Sequence, residues 1–272
     1  MKYKMLVSDL DGTIGKDDHT ISTENIQAAN NLVQNGVKLV LCSGRSPVTL
    51  AEKMKQMGVT SDYIIGFNGC TIKEVSTGKN IYEKTLDPNL SKDLINQVSH
   101  FDVTIAAQVS EGELFGNRPQ MLIGGIDDEG SLKVEVHPDL TSTIKKGVHK
   151  ILMLAPREIL EEIYEYMKDK VQGICGLVFT NKTILEFIPL NANKGEALKF
   201  LSNELNLPLE NIASCGDNFN DIELIQVAGM GIAMYNAVEP LKAVADKITE
   251  KTNNDHGFAE IIDFILNENK GV

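Results

Sequence analysis

The chain has 272 residues, 42% of them apolar and 24% charged, with a formal net charge of −12. That length accommodates one large domain or two, and the composition is that of an ordinary globular protein, not a disordered or fibrous one. The carboxylate excess argues against a nucleic-acid partner, which would call for clustered Lys and Arg, yet a small phosphate ester can still bind where a cation sits locally.

No apolar stretch approaches the roughly 20 residues a membrane helix needs, and "MKYKMLVSDLDGT" is too short for a secretory core. Cys42, Cys70, Cys175 and Cys215 are scattered without CxxC spacing, which predicts buried thiols rather than a zinc site or a disulfide scaffold. A cytoplasmic setting is the expectation.

In chain order, "KMLV" reads as a short buried strand. "STENIQAANNLVQNG" follows as a helix, opened by cap-type Ser22 and Thr23 and closed at Gly36, with Ile26, Ala29, Leu32 and Val33 on one face. "VKLVLCSG" is the next strand, "SPVTLAEKMKQMG" a helix ending at Gly58, and "DYIIGFNG" a further strand. This strand–helix–strand rhythm predicts a parallel sheet covered on both faces. From about 84 to 187 the pattern changes to helices ("NLSKDLINQVSHF", "PREILEEIYEYMKDKV") among alternating strands ("DVTIAAQV", "LKVEVHP", "LVFTN", "TILEFIP"), with "GGIDDEGS" as turn material. The βα rhythm resumes with "KGEALKFLSNELNL", "NIASCGDN" and "DIELIQVAGMG". The expectation is therefore a doubly wound α/β core (1–83 and 188–272) interrupted by an α+β insert (84–187).

Open parallel sheets bind ligands beyond the carboxyl ends of their strands. Asp9–Thr13, Ser43–Arg45, Asn68–Gly69 and Gly216–Asp221 all follow candidate core strands, and Asn193–Gly195 opens a helix. Taken singly, each has an ordinary reading. Asp-Gly is usually a turn, Lys194 a solvated helix-end lysine, Ser43 a cap for the helix near Pro47, and Arg45 an ion-pair partner. His137 and His149 lie in the insert without partner spacing. Joint occurrence in one order is what favours a site.

"DLDGT", "CSGR", "NKGEAL" and "GDNFND" together resemble the four motifs of the haloacid dehalogenase superfamily of phosphatases. The insert between the second and third motifs is similar to the type IIB cap of the Cof-type branch. "IIGFNG", "GMGIAMYNAVEPLKAVAD" and "NNDHGFAEII" also look like that branch. The resemblance implies that Asp9 is a nucleophile forming an aspartyl phosphate and that Asp11 is the general acid and base, a role suited to a carboxyl of higher pKa than Asp9. It implies Mg²⁺ held by the Asp9 carboxylate, the Asp11 backbone carbonyl and Asp217, with Asp221 a ligand or its neighbour. Ser43, the Gly44 and Leu10 amides, Lys194 and Asn220 would cradle the phosphoryl group, with Gly12 in a tight turn after the nucleophile. Arg45 and Asn68 are candidate substrate contacts.

The function so implied is Mg²⁺-dependent hydrolysis of a small phosphomonoester, a sugar phosphate or related metabolite, with the insert closing over the site. A phosphomutase or phosphotransferase, in which a second substrate intercepts the aspartyl phosphate, and a regulatory phospho-acceptor domain are the alternatives. Arg118, Gln120 and Met121 are candidate specificity residues of the insert. Nothing in the sequence indicates an oligomeric state.

Overall fold

The structure, a computed structural model, describes residues 1–110, 113–118 and 133–271. The first segment runs β1 (Met5–Ser8), α1 (Thr23–Gln34), β2 (Lys38–Cys42), α2 (Pro47–Met57), β3 (Tyr63–Gly66), β4 (Thr71–Glu74) and β5 (Lys79–Glu83). The insert contributes α3 (Pro88–Val98), β6 (Thr104–Ser110), β7 (Glu113–Gly116), β8 (Lys133–Val136), β9 (Lys150–Leu154), α4 (Arg157–Val171), β10 (Cys175–Asn181) and β11 (Ile184–Pro189). The last segment adds α5 (Lys194–Glu204), β12 (Ile212–Gly216), α6 (Ile222–Val227), β13 (Met230–Ala233), α7 (Glu239–Lys242), β14 (Lys247–Ile248) and α8 (Gly257–Lys270).

Two compact units result, Met1–Glu83 with Asn193–Val272, and Lys84–Ala192. The second junction falls beyond residue 187 because β11 continues to Pro189, paired with β10 and β9 on its two sides.

In the first unit, an eight-stranded sheet has the order β14-β13-β12-β1-β2-β3-β4-β5. Its first six members pair in parallel, while the β4–β5 hairpin, which the sequence pattern did not reveal, adds an antiparallel edge. Alternation along the buried strands feeds two cores. Leu6, Leu39, Leu41 and Ile64 pack with residues of α1, α2 and α8, whereas Met5, Val7, Val40 and Ile65 pack with Ala197, Leu198, Leu201 and Leu224 of α5 and α6. Each such side chain contributes about 1.5–3 kcal/mol on burial, enough for a short strand to carry costly polar groups at its end. The chain leaves β1 toward β2 and later returns to β1's other side at β12, so the winding reverses here. Ligands of open α/β sheets bind beyond the carboxyl ends of the strands at such a reversal.

The second unit has a six-stranded sheet of order β10-β11-β9-β6-β7-β8, antiparallel except for the β7–β8 pair. One face packs on Leu94, Ile95 and Val98 of α3 and on Leu160, Ile163, Met167 and Val171 of α4. β7 and β9 are additional to the strands expected from the sequence. "GGIDDEGS" (124–131), Gln120 and Met121 lie outside the described residues.

Candidate active site

Ser8 stands in register with Cys215 on one side and Leu41 on the other, so the chain leaves the sheet at Asp9 beside Gly216 and Cys42. The Asp9 N–H donates to the Cys215 carbonyl at 3.0 Å, extending the ladder one residue. The chain then turns sharply. The Gly15 N–H donates to the Leu10 carbonyl at 2.8 Å and Gly12 adopts φ +77°. A Cβ at Gly12 would strike the Asp217 carboxylate, so this turn requires glycine twice over, for its backbone and for the space.

Lys194 is wholly buried. Asn193 caps α5, its side chain accepting from the Glu196 N–H at 2.8 Å, and this cap delivers Lys194 at the first helical position. Its ammonium donates to Asp9 Oδ1 at 2.5 Å and to Asp221 Oδ1 at 2.6 Å, with side-chain exposures of 0%, 7% and 0% for Lys194, Asp9 and Asp221. The solvated-lysine reading is thereby set aside. Burial alone would lower the Lys194 ammonium, but the Asp221 and Asp9 carboxylates outweigh it and hold its pKa above the ordinary value. Asp221 Oδ2 accepts from the Asp217 and Asn218 N–H groups, both at 3.0 Å, so each oxygen of Asp221 is engaged.

Asp9, Asp217 and Asp221 can each present an oxygen within 4.8 Å of the others. Burial pushes the Asp9 carboxyl well above its ordinary range, against the pull of Lys194, with Asp221 and Asp217 adding to the push. Burial and then Asp221 raise Asp217 to about 7, although Thr13 Oγ1 donates to its Oδ1 at 2.9 Å. One buried ammonium thus faces three carboxylates, and the uncompensated negative charge with hard oxygen donors fits a divalent cation.

Asp11 is placed differently. Arg45 grips it in a two-pronged pair, Nε to Oδ2 and Nη2 to Oδ1, both at 2.8 Å. Asp9 is thus the buried carboxyl, whereas Asp11 is partly exposed beside a guanidinium. Ser43 is buried and its Oγ accepts the Arg45 N–H at 3.3 Å, while the cap of α2 is Ser46, accepting from the Thr49 N–H at 3.2 Å. The capping role suggested for Ser43 therefore belongs to its neighbour. Asn220 Nδ2 donates to Asn68 Oδ1 at 2.9 Å, and a Cβ at Gly44 would approach the Asn68 amide at 3.2 Å. In the insert, Arg118 pairs with Asp102 at 2.7 Å, His137 lies 3.5 Å from Glu135, and His149 is buried. All four cysteines are free and buried, and burial pushes the thiols of Cys42, Cys175 and Cys215 up.

The profile of the haloacid dehalogenase-like hydrolases matches residues 6–262. The chain belongs to that family. A Bacillus subtilis phosphatase is 25% identical to this hydrolase, covering 97% of this chain and all of its own. A 5-amino-6-(5-phospho-D-ribitylamino)uracil phosphatase of the same organism is 27% identical over 96% of this chain and 97% of that protein. An HMP-PP phosphatase of Yersinia pseudotuberculosis is 27% identical over 88% and 86%. The X-ray structure of a Thermotoga maritima protein superposes with a TM-score of 0.87 at 28% identity, covering 96% of this chain and 97% of that one. The protein is a phosphoric monoester hydrolase of the Cof-type branch, with the α/β core and inserted α+β unit of its family. No helix among the described residues is long and apolar enough to cross a membrane.

Three contributors to the hydrolase site have roles that only the structure shows: Thr13, inside the Asp9–Thr13 cluster but given no role there, and Asn236 and Asn253. Thr13 binds Asp217. Asn236 Nδ2 donates to the Gly12 carbonyl at 2.9 Å, and its Oδ1 accepts from the Asn253 N–H at 2.9 Å. Asn253, almost fully buried, donates in turn to the Gly15 carbonyl at 3.1 Å and to Asp17 at 2.9 Å. For Asn236 and Asn253 the segments "GMGIAMYN" and "NNDHGF" carried the signal, and it is one of resemblance rather than chemistry.

Proposed function

We propose that this phosphatase is Mg²⁺-dependent, works through an aspartyl phosphate on Asp9, and acts on small phosphorylated metabolites, sugar phosphates foremost. The observation that carries the reading is the buried Lys194 bridging Asp9 and Asp221 where the winding of the sheet reverses. Asp9 and Asp217, with the Asp11 backbone carbonyl, would hold the metal. Asp221 is assigned to orienting Lys194 and the Asp217–Asn218 turn, since both of its oxygens already serve those groups. When bound, Mg²⁺ supplies charge neutralisation between the Asp9 carboxylate and an incoming phosphate.

Asp9 attacks phosphorus and the bond to the leaving oxygen breaks as Asp11 gives that oxygen a proton. Asp11 then takes a proton from water, whose oxygen displaces Asp9 and releases inorganic phosphate. Arg45 must release Asp11 before that carboxyl can reach the leaving oxygen, because the guanidinium engages both of its oxygens. Ser43, the Gly44 and Leu10 amides, Lys194 and Asn220 stabilise the phosphoryl oxygens, and positioning with charge stabilisation is most of what phosphoryl transfer requires. The named substrates of two relatives support a compact phosphorylated metabolite. We assign selection of the leaving group to the insert, and the free buried thiols accord with a cytoplasmic setting.

Phosphate release across a panel of phosphorylated metabolites, with Mg²⁺ and with EDTA, tests this reading. Turnover should require Mg²⁺, place ¹⁸O from labelled water in the phosphate, and vanish in Asp9→Asn. Mg²⁺-dependent release by Asp9→Asn would overturn the assignment of the nucleophile, and transfer to a second substrate without ¹⁸O uptake would overturn hydrolysis.

A further inference from the structure

Phe67, Asn68 and Gly69, which follow β3, have φ of +52°, +54° and +94° in succession. Two adjacent non-glycine residues in the left-handed region are uncommon, and for a bulky Phe the conformation is a genuine outlier. Such backbone persists only where its surroundings over-determine it. Here they do. The Phe67 N–H donates to the Arg45 carbonyl at 3.0 Å, the Asn68 N–H to the Ser43 carbonyl at 2.9 Å, and the Phe67 ring is buried. On the other side Gly69 lies so close to the Asn193 carbonyl that a Cβ would collide with it. The loop is therefore wedged between Ser43–Arg45 and the start of α5.

The product of this geometry is one side-chain contact. Asn68 Oδ1 receives Asn220 Nδ2 at 2.9 Å. Asn220 is exposed, in a single 3₁₀ turn at Phe219–Asp221, where an unrestrained amide would sample several rotamers. An amide nitrogen has two hydrogens, so one can be tied to Asn68 while the other remains for a phosphoryl oxygen.

We propose that Asn68 is a positioning residue: held by the left-handed Phe67–Asn68–Gly69 loop, it pre-orients the Asn220 amide for the phosphoryl group, and it acts through Asn220, not on substrate directly. The inference rests on the phosphoryl-binding role given to Asn220 above. It replaces the expectation that Asn68 is a substrate contact.

Asn68→Gly deletes the amide but accepts the left-handed backbone, whereas Asn68→Ala deletes the amide and keeps a strained Cβ. These variants, Asn220→Ala and the double variant Asn68→Gly/Asn220→Ala are compared by kcat and KM on p-nitrophenyl phosphate, by inhibition with inorganic phosphate, and by thermal midpoint. Asn68→Gly should match or exceed the parent's midpoint, weaken phosphate inhibition, and lower kcat/KM about tenfold, the scale of releasing one immobilised side chain. Added to Asn220→Ala, it should cost less than a further twofold. Multiplicative losses in the double variant would overturn the proposal by showing that Asn68 acts on its own, and so would parental kinetics in Asn68→Gly. Parental kinetics in Asn220→Ala would overturn it together with the phosphoryl-binding role of Asn220, leaving Asp9, tested separately, in place.

Discussion

Replacing Asp217 by Asn should stabilise the metal-free protein while abolishing its turnover. The carboxyl sits at about 7 in the folded chain, against 3.8 for the unperturbed group, because burial and the Asp221 charge disfavour ionisation. That difference corresponds to about 4 kcal/mol at full ionisation. Asp217 is partly exposed, and solvent screening brings the figure down to about 2–3 kcal/mol. A folded-state pKa above the unfolded value means that the native protein keeps a proton which the unfolded chain has already released. Stability from this group is thus complete below pH 4, falls as pH rises from about 4 to 7, and is flat above. Asn carries no such loss, and its Oδ1 can still accept from Thr13. Thermal midpoints in EDTA at pH 5 and pH 8 read the effect. At roughly 2 °C per kcal/mol for a chain of this size, the variant should lead the parent by about 5 °C at pH 8 and by less at pH 5. Mg²⁺ should then raise the parent's midpoint and leave the variant's nearly unchanged. A variant no more stable than the parent at pH 8, or a lead that does not grow with pH, would refute the reasoning.

Lys194→Ala should do the opposite, leaving Asp9 and Asp221 buried without a counter-charge, at a cost of about 3–5 kcal/mol in urea unfolding and at least 100-fold in kcat; a loss under 1 kcal/mol would contradict the bridge. Gly12→Ala should lose about 1–2 kcal/mol for its positive φ and more than tenfold in activity for displacing Asp217. Gly58→Ala serves as its control, since Gly58 has φ +64° with nothing near its Cβ, so stability should fall by about 1 kcal/mol with activity retained. In the insert, Lys150→Met would strand Glu186, which is 2% exposed and 2.9 Å from Lys150. We expect about 3–5 kcal/mol of destabilisation by chemical unfolding, largely recovered when Glu186→Leu is added.

Much of the core was legible because its signals are local. Apolar runs of strand length, helical spacing of Ile26, Ala29, Leu32 and Val33, and glycines such as Gly36 and Gly58 at positive φ each reflect conformational preferences acting over a few residues. The alternation of those elements implied a parallel sheet, and the carboxyl-end rule then gathered Asp9, Ser43, Asn68 and Asp217 in one region. Where local signals were weak, elements were missed. β9 is a plain apolar run, "KILML", whose partners β6 and β11 lie well away in sequence. β4 and β5 are short, and only the pairing of β4 with β3 and of β5 with β4 defines them.

The chemistry of individual side chains was another matter, because their partners are distant along the chain. Resemblance in the sequence set the Lys194 amine beside Asp9, 185 positions away, but could not show that both are buried. Nor could it choose between an ion pair and a substrate contact for Arg45, or between the two oxygens of Asp221 as metal ligands and as anchors for Lys194 and the Asp217 turn. The residue types and their order in "KMLVSDLDGTIGK" determined that carboxylates would stand at the end of a buried strand. Tertiary structure decided which of them is dehydrated, which is gripped by arginine and which neighbours hold the loop, since those outcomes depend on packing and charge brought together only when the sheet closes around β1.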